Sequence, residues 1–514
     1  MSVAPAPVTL GAGRLAIADV VSVARDGAKV VLDPAAARRV VKGRQTLEEM
    51  ARGDRPIYGV TTGVGKLKDT VIPPEDRHQL QENLALSHAA GVGPPLEPAE
   101  GRSVLLLLAA SLARGHSGVR TFLIEHLIEC LNRGVLPVIP ERGSVGASGD
   151  LAPLAHVAAC LIGHGEAMVA GARLPAREAL RRVGLVPLRL EMKEGLAILN
   201  GTHLMAGFGA LLVEDAERLA RLADVCGGMS LEALMGTNAA FDWRIHAIRP
   251  HPGQIAVAAN LRALTHGSAI IDSHRDCARV QDAYSLRCMP QVHGAAREAI
   301  RFAREIVTRE INSVTDNPLI FADDGLVLSA GNFHGQPLAL ALDTLAIGLT
   351  QLGGIAERRI DRLVNPLTNE GLPAFLSPRG GLHSGYMIAQ YVAAALVSEC
   401  KSASHPASVD SIPTSGSLED YNSMGAGAAL KARQILRLVR QVLAIELLAA
   451  AQAIDLRAPL TPGDGSRAAH AVVRTTVPFL DTDRLLSTDL AAALAVVEAG
   501  TLEAAVEAAV GPLS

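Results

Sequence analysis

Aromatic side chains are scarce: one Trp, five Tyr and eight Phe, 3% of 514 residues. With Ala, Leu, Val, Arg and Glu filling the long segments instead, the composition favours helix over sheet. Cysteine is also sparse. Cys130, Cys160, Cys226, Cys277, Cys288 and Cys400 include no Cys-x-x-Cys pair, which argues against a disulfide framework or a zinc site and predicts buried thiols in a reducing cytosol. Charge of either sign is nearly balanced, at −4 overall, and no Lys/Arg run resembles a binding tail, so no nucleic-acid or membrane-surface partner is expected. Small-molecule chemistry is the default. No basic and apolar leader opens the chain, and Val104 to Leu112, read as the most lipid-like stretch, is about half the roughly 20 residues a bilayer span needs. A cytoplasmic protein without a membrane segment is the expectation.

What is there is helical periodicity. An all-α fold is predicted, with an N-terminal domain (1–205) and a long-helix bundle with C-terminal helices (206–514). Residues 1 to about 60 read as an irregular entry with a few short strands or helices. Helical spacing covers about 75–90, 101–114, 119–133, 151–162 and 176–183, then 205–224, 295–312, 337–361, 384–402 and 424–455. Two short helices are expected after 460.

The segment between the third and fourth of these helices carries the chemistry. Gly143-Ser-Val-Gly-Ala-Ser-Gly-Asp contains Ala147-Ser148-Gly149, which can close on itself. If the Gly149 nitrogen attacks the Ala147 carbonyl and water leaves, a five-membered ring forms; loss of the Ser148 hydroxyl gives 4-methylideneimidazol-5-one (MIO), an electrophile that needs no external cofactor. Gly is required third because a side chain would hinder the attacking nitrogen. Ser148 would sit just before a helix N-terminus, where free N–H groups make the surroundings electropositive.

Two other readings of Ser148 compete. It could be a plain N-cap, or a hydrolase nucleophile with His88 or His156 as base and Asp150 as orienter. The glycines flank Ser148 at −2 and +1, which is not the Gly-x-Ser-x-Gly elbow. Gly59 to Lys66 fails as a phosphate loop, since its glycine spacing is one too long and Leu67 follows the lysine.

Further segments accompany the triplet, in order, from about residue 50 to 425. They are Tyr58-Gly-Val-Thr-Thr-Gly-Val-Gly, Asn83-Leu-Ala-Leu-Ser-His-Ala-Ala-Gly-Val-Gly, Glu194-Gly-Leu-Ala-Ile-Leu-Asn-Gly-Thr and Gln281-Asp-Ala-Tyr-Ser-Leu-Arg-Cys. Asn312-Ser-Val-Thr-Asp-Asn-Pro, Gly331-Asn-Phe-His and Ser411-Ile-Pro-Thr-Ser with Glu419-Asp420 follow. With these segments the sequence resembles the MIO-dependent aromatic amino acid ammonia-lyases, and the histidine-specific branch most closely.

That resemblance implies non-oxidative removal of ammonia from an aromatic L-amino acid, histidine to urocanate in the nearest case. It makes Ala147, Ser148 and Gly149 the ring and Tyr58 the base for the β-proton. A phenol with a pKa near 10 must be shifted toward working pH for that task. Tyr284 would lie close to the ring, and Arg287 would grip the substrate carboxylate as a bidentate fork. Asn200 and Gln281 would hold the ring oxygen and the substrate by hydrogen bonds, Phe333 would wall the pocket, and Glu419 would meet the amine or an imidazole. Ser87 and His88 match the histidine-specific pair. The resemblance also implies a homotetramer whose sites draw on three subunits.

Several positions depart from the histidine-specific pattern: Gly416-Ser417-Leu418 before Glu419, Tyr421 after Asp420, Gln336, His203, Met289 and His293. They leave open a tyrosine- or phenylalanine-specific lyase and a 2,3-aminomutase, which would return ammonia to the β-carbon. A non-catalytic helical interaction protein is a further alternative, disfavoured because triplet, tyrosine and arginine are all present.

Overall fold

The computed structural model describes residues 5–514, in two compact units. Unit 1 contains the described residues up to Glu214, Ala303–Asp343 and Pro406–Leu430; unit 2 contains Asp215–Phe302, Thr344–His405 and Lys431–Ser514.

Unit 1 opens with β1 (Val8–Leu10), α1 (Ile17–Ala24) and β2 (Val30–Leu32), the strands pairing in parallel. Next comes α2 (Pro34–Met50), a 17-residue helix where an irregular entry was expected. Its polar composition hid it, although Asp33-Pro34 is a start signal. Asp33 accepts from the backbone N–H groups of Ala35 and Ala36 at 2.8 and 2.9 Å, and Pro34 occupies the first turn without losing a helical bond. Ala36, Val40, Gly43 and Leu47 form its buried face.

There follow α3 (Arg77–His88), α4 (Pro98–Leu112), α5 (Thr121–Arg133), α6 (Leu151–Leu161), α7 (Ala176–Arg182), α8 (Glu194–Leu199) and α9 (His203–Ala233). Leu123, Leu127 and Leu131 share the buried face of α5, as their spacing requires. Val104 to Leu112 of α4 is buried throughout. Short strands punctuate the helices: β3 (Val92–Pro95) pairs with β5 (Pro140–Arg142), β4 (Leu136–Pro137) with β6 (Glu166–Val169) and β7 (Ala172–Pro175), and β8 (Leu319–Phe321) with β9 (Leu326–Leu328). A cluster of Leu47, Ala51, Ile57, Val60 and Ile320 packs beside the Tyr58 turn. Each buried Leu, Ile or Val among them contributes about 1.5–3 kcal/mol.

In unit 2 the short helices α10 (Trp243–Ala247), α11 (Pro252–Leu264), α12 (Ala269–Asp272) and α13 (Tyr284–Arg287) precede α14 (Met289–Glu310), α15 (Gln336–Val364), α16 (Met387–Ala403) and α17 (Gly425–Asp455). Residues of α9, α14, α15 and α17 are divided between the units. Three helices, not two, close the chain: α18 (Asp464–Thr476), α19 (Leu486–Ala499) and α20 (Thr501–Val510). Gly500 separates the last two at φ +72°, a break that Ala-rich flanks conceal. The fold class is all-α, with each sheet limited to two or three short strands.

A charged network fills the unit 2 core. Arg359 makes a two-pronged ion pair with Glu446, at 2.6 and 2.9 Å, while Asp224 accepts from His293 at 2.7 Å and from Arg297 at 2.5 Å. Two further expectations need correction. Cys277 is exposed and Cys288 half-buried, and the stretch long and apolar enough to cross a membrane is α15, not Val104 to Leu112. In α15, 67% of the most apolar window is buried inside the protein, as in a core helix.

Candidate active site

The loop 143–150 is fixed from three directions. The Gly146 carbonyl accepts from Ser423 Oγ at 2.9 Å and from Gly335 N at 3.0 Å, and the Val145 carbonyl accepts from Met424 N at 2.9 Å. Gly149, at φ +73°, forms a bridge with Gly201, and Asp150 N donates to the Gly201 carbonyl at 2.8 Å. A Cβ on Gly149 would stand 2.1 Å from that carbonyl oxygen, so only glycine fits on both conformational and steric grounds.

Ser148 precedes α6, as its sequence context predicts, but Asp150 does not cap α6 with its side chain. Its buried carboxylate reaches instead to α9, accepting from Leu204 N at 3.0 Å and Met205 N at 3.1 Å, and from Ser144 Oγ at 2.8 Å. Burial pushes the Asp150 pKa up to about 7 against these three bonds. This geometry removes the hydrolase reading. Asp150 orients no histidine, and His156 Nε2 accepts from Gly91 N at 3.1 Å.

A cavity of about 450 Å³ opens beside the triplet, and all its lining residues belong to unit 1. Tyr58, Ala147, Ser148, Asn200, Phe333 and Glu419 line it. Ser148 Oγ donates to Glu419 Oε1 at 3.1 Å across 271 positions of sequence, and Thr414 Oγ1 donates to Glu419 Oε2 at 3.0 Å. A backbone bridge between Thr414 and Glu419 closes the turn that presents the carboxylate. Gly416 takes φ +61° within it, so the altered stretch 416–418 builds the turn while Leu418 lines the cavity.

Tyr58 Oη accepts from Gly65 N at 2.9 Å. Burial raises its pKa, the Gly65 N–H opposes this, and the Glu419 charge adds to the rise. The lowering that a tyrosinate base would need is therefore not supplied within unit 1. Asn200, at the C-terminus of α8, is buried with its Oδ1 unpaired among the described residues. Gln81 braces this half of the site: its amide donates to the Gly59 carbonyl at 3.2 Å and accepts from Leu196 N at 3.1 Å, joining α3, α8 and the Tyr58 turn.

Ser87 and His88 end α3, with Ser87 Oγ 3.0 Å from His88 Nδ1. They do not line the cavity, yet the Glu419 charge acts on His88, whose pKa burial lowers. Gln281, Tyr284 and Arg287 belong to unit 2. There Gln281 and Tyr284 are exposed, and Arg287 places its guanidinium 4.6 Å above the Tyr284 ring while Nε donates to the Asp282 carbonyl at 2.9 Å. The sequence did not single out Gly65, Asn317, Ser329, His334, Asp420 or Tyr421 as lining residues. Most lie within the quoted segments or the altered stretch and could have been found there. Ser329 lies outside them and carries no signal. His334 stacks on Tyr421 at 6.4 Å and bonds its carbonyl through Nε2 at 2.9 Å, which fixes one wall.

The aromatic amino acid lyase pattern matches residues 15–475. A histidine ammonia-lyase of Myxococcus xanthus is 54% identical over 495 residues, covering 96% of this chain and 97% of its own. Among solved structures, histidine ammonia-lyase from Trypanosoma cruzi is 42% identical with a TM-score of 0.91, covering 98% of this chain and 96% of its own. Tyrosine aminomutase from Streptomyces globisporus is 38% identical with a TM-score of 0.94, covering 99% and 100%. A triplet clamped beside a tyrosine, an unpaired amide and a glutamate thus belongs to a chain alike throughout its length, and the chain belongs to the aromatic amino acid lyase family.

Proposed function

We propose that this protein is a carbon–nitrogen lyase that converts L-histidine to trans-urocanate and ammonia. The observation that carries this reading is the cavity in which Ser148, bonded to Glu419, faces Tyr58 and Asn200. The extent of likeness to proteins named histidine ammonia-lyase supports histidine as the substrate.

The loop fits a ring built from Ala147, Ser148 and Gly149. Gly149 N is free of any side chain at its own Cα, Gly201 leaves no room for one, and Asn200 brings a buried amide with an unpaired atom to the same wall. When formed, the MIO ring supplies an electrophile that draws electrons from the substrate amine and improves it as a leaving group. The rest falls to this chain's side chains. Tyr58 Oη removes the β-proton, the C–H electron pair becomes the Cα–Cβ double bond, and the C–N pair leaves with ammonia.

Glu419, oriented by Thr414, bonds the amine or the imidazole, with His88 behind it; Ser87 sets His88. Phe333 packs against the substrate ring, and Asn200 and Gln281 stabilise negative charge that develops opposite the amine. Arg287 takes the carboxylate in a fork, with Tyr284 beside the ring. Because the cavity is lined from unit 1 while these three groups stand on unit 2, partly exposed, we assign a homotetramer with shared sites, in which an arginine brought to Tyr58 lowers its pKa. The cofactor is self-formed, the partner is a small amino acid, and the location is cytoplasmic.

Histidine, tyrosine and phenylalanine assayed side by side test the substrate. Urocanate formation should exceed cinnamate-type products by about 10²-fold or more in kcat/KM. A preference for tyrosine or phenylalanine, or a β-amino acid product by NMR, would overturn the assignment.

A further inference from the structure

A second cleft in unit 1, of about 280 Å³, is lined by Arg44, Arg52, Arg77, His78, Glu48 and Glu191, over Ala51, Pro74 and Met192. Its two carboxylates are already committed. Glu48 pairs with Arg44 at 2.6 Å, and Glu191 faces Arg120 at 4.0 Å. Arg44 also donates to the Met192 carbonyl at 2.9 Å. Both ring nitrogens of His78 are engaged, Nδ1 with the Leu190 carbonyl and Nε2 with Arg189 Nε at 2.7 Å.

Two cations remain. Arg77 donates one Nη1–H to the Ala51 carbonyl at 3.1 Å, and its Nε is buried without a partner. Arg52 is exposed, and among the described residues neither arginine has a carboxylate within ion-pair distance. A buried guanidinium N–H left unpaired costs free energy that a charged acceptor would recover. The volume of about 280 Å³ suits a small acceptor.

We infer that this cleft binds a compact oxyanion, a phosphoryl or carboxylate group on a small molecule, between Arg52 and Arg77, and that its occupancy is felt at the catalytic cavity. The route is short and covalent. Arg77 and His78 open α3, which ends in His88; Glu191 and Met192 precede α8, which ends at Asn200. Gln81 and Gly195 lock the two helices together, since a Cβ on Gly195 would meet the Gln81 carbonyl at 2.5 Å. A ligand drawing Arg77 toward residues 191–192 would therefore shift His88 and Asn200 as one body.

Calorimetric titration of the full-length protein with inorganic phosphate and with succinate, at constant ionic strength, tests the site without reference to catalysis. Saturable binding with a Kd of about 1 mM is expected for one or both, the preferred anion naming the group. Arg52→Gln and Arg77→Gln should each weaken it about tenfold, and Arg52→Gln, at an exposed side chain, should leave Tm and the activity without anion unchanged. No saturable binding, or binding untouched by either variant, overturns the site. The link to the cavity rests on the proposed lyase activity. There the bound anion should change KM for the amino acid at least about threefold in the parent and not in the double variant. Unchanged kinetics with intact binding would overturn the coupling alone.

Discussion

In the function proposed above, the loop 143–150 and the segment 281–287 would serve one reaction under opposite physical conditions. The loop spends its polar groups inward: Val145, Gly146, Gly149 and Asp150 all bond other segments of unit 1. The segment combines buried anchors with an exposed ring. Its buried Asp282 accepts from Thr237 N at 2.8 Å and Arg359 reaches the Ser285 carbonyl at 3.5 Å, while Tyr284 is 71% exposed. A backbone that must attack itself needs its geometry imposed in advance, whereas a guanidinium that must capture a carboxylate needs to stay available.

The sharpest way to break this contrast is Ser148→Ala. It should lower kcat by about 10³-fold or more while leaving the protein folded. Intact mass checks the premise, since the parent chain should be lighter than its sequence mass by two waters, about 36 Da, and the variant should not. A parent of unmodified mass would sink the mechanism.

On the other side of the contrast, Arg287→Lys keeps the charge and loses the fork. We expect kcat/KM to fall about 10²-fold, mainly through KM, with Tm little changed because Arg287 contacts one backbone carbonyl and the exposed Tyr284 ring. A matching loss of stability would show that the segment is structural, and the comparison would fail.

These two regions also differ in how legible they were. The loop's chemistry stood in three adjacent residues, and the all-α class followed from long apolar periods such as 425–455. The carboxylate facing Ser148 did not follow from any period, because a turn at 414–419 delivers it from 271 residues away. Nor did the upward shift of Tyr58, which depends on burial that no motif records. Helix α2 was missed because its apolar face is narrow and its cap, Asp33-Pro34, is a weaker signal than its lysine and three arginines. Gln81 illustrates the same limit, since a glutamine in a helical stretch shows nothing of the two segments it joins.

Gly149→Ala measures how firmly the loop is held. The added methyl meets the Gly201 carbonyl and forces a left-handed backbone on a residue with a Cβ, so unfolding in urea should show a loss of about 2–4 kcal/mol. Ser285→Ala in the exposed segment should cost no more than about 0.5 kcal/mol. Equal effects at the two positions would erase the distinction between an imposed and an available geometry.

The last test concerns Asp150, whose carboxyl burial pushes up to about 7. In an unfolded chain an aspartate titrates near 3.9. Between roughly pH 4 and 7 the folded protein therefore binds more protons at this site than the unfolded chain does, and its contribution to stability is present below about pH 4 and lost as pH rises through 7. The slope is at most about 1.4 kcal/mol per pH unit. Asp150→Asn keeps an acceptor for Leu204 and Met205 while removing the titration, so urea midpoints across this window should flatten relative to the parent. Parallel pH profiles for the two proteins would mean that the first turn of α9 keeps Asp150 ionised throughout. The loop would then be held by a charge at a helix terminus, not by a buried acid.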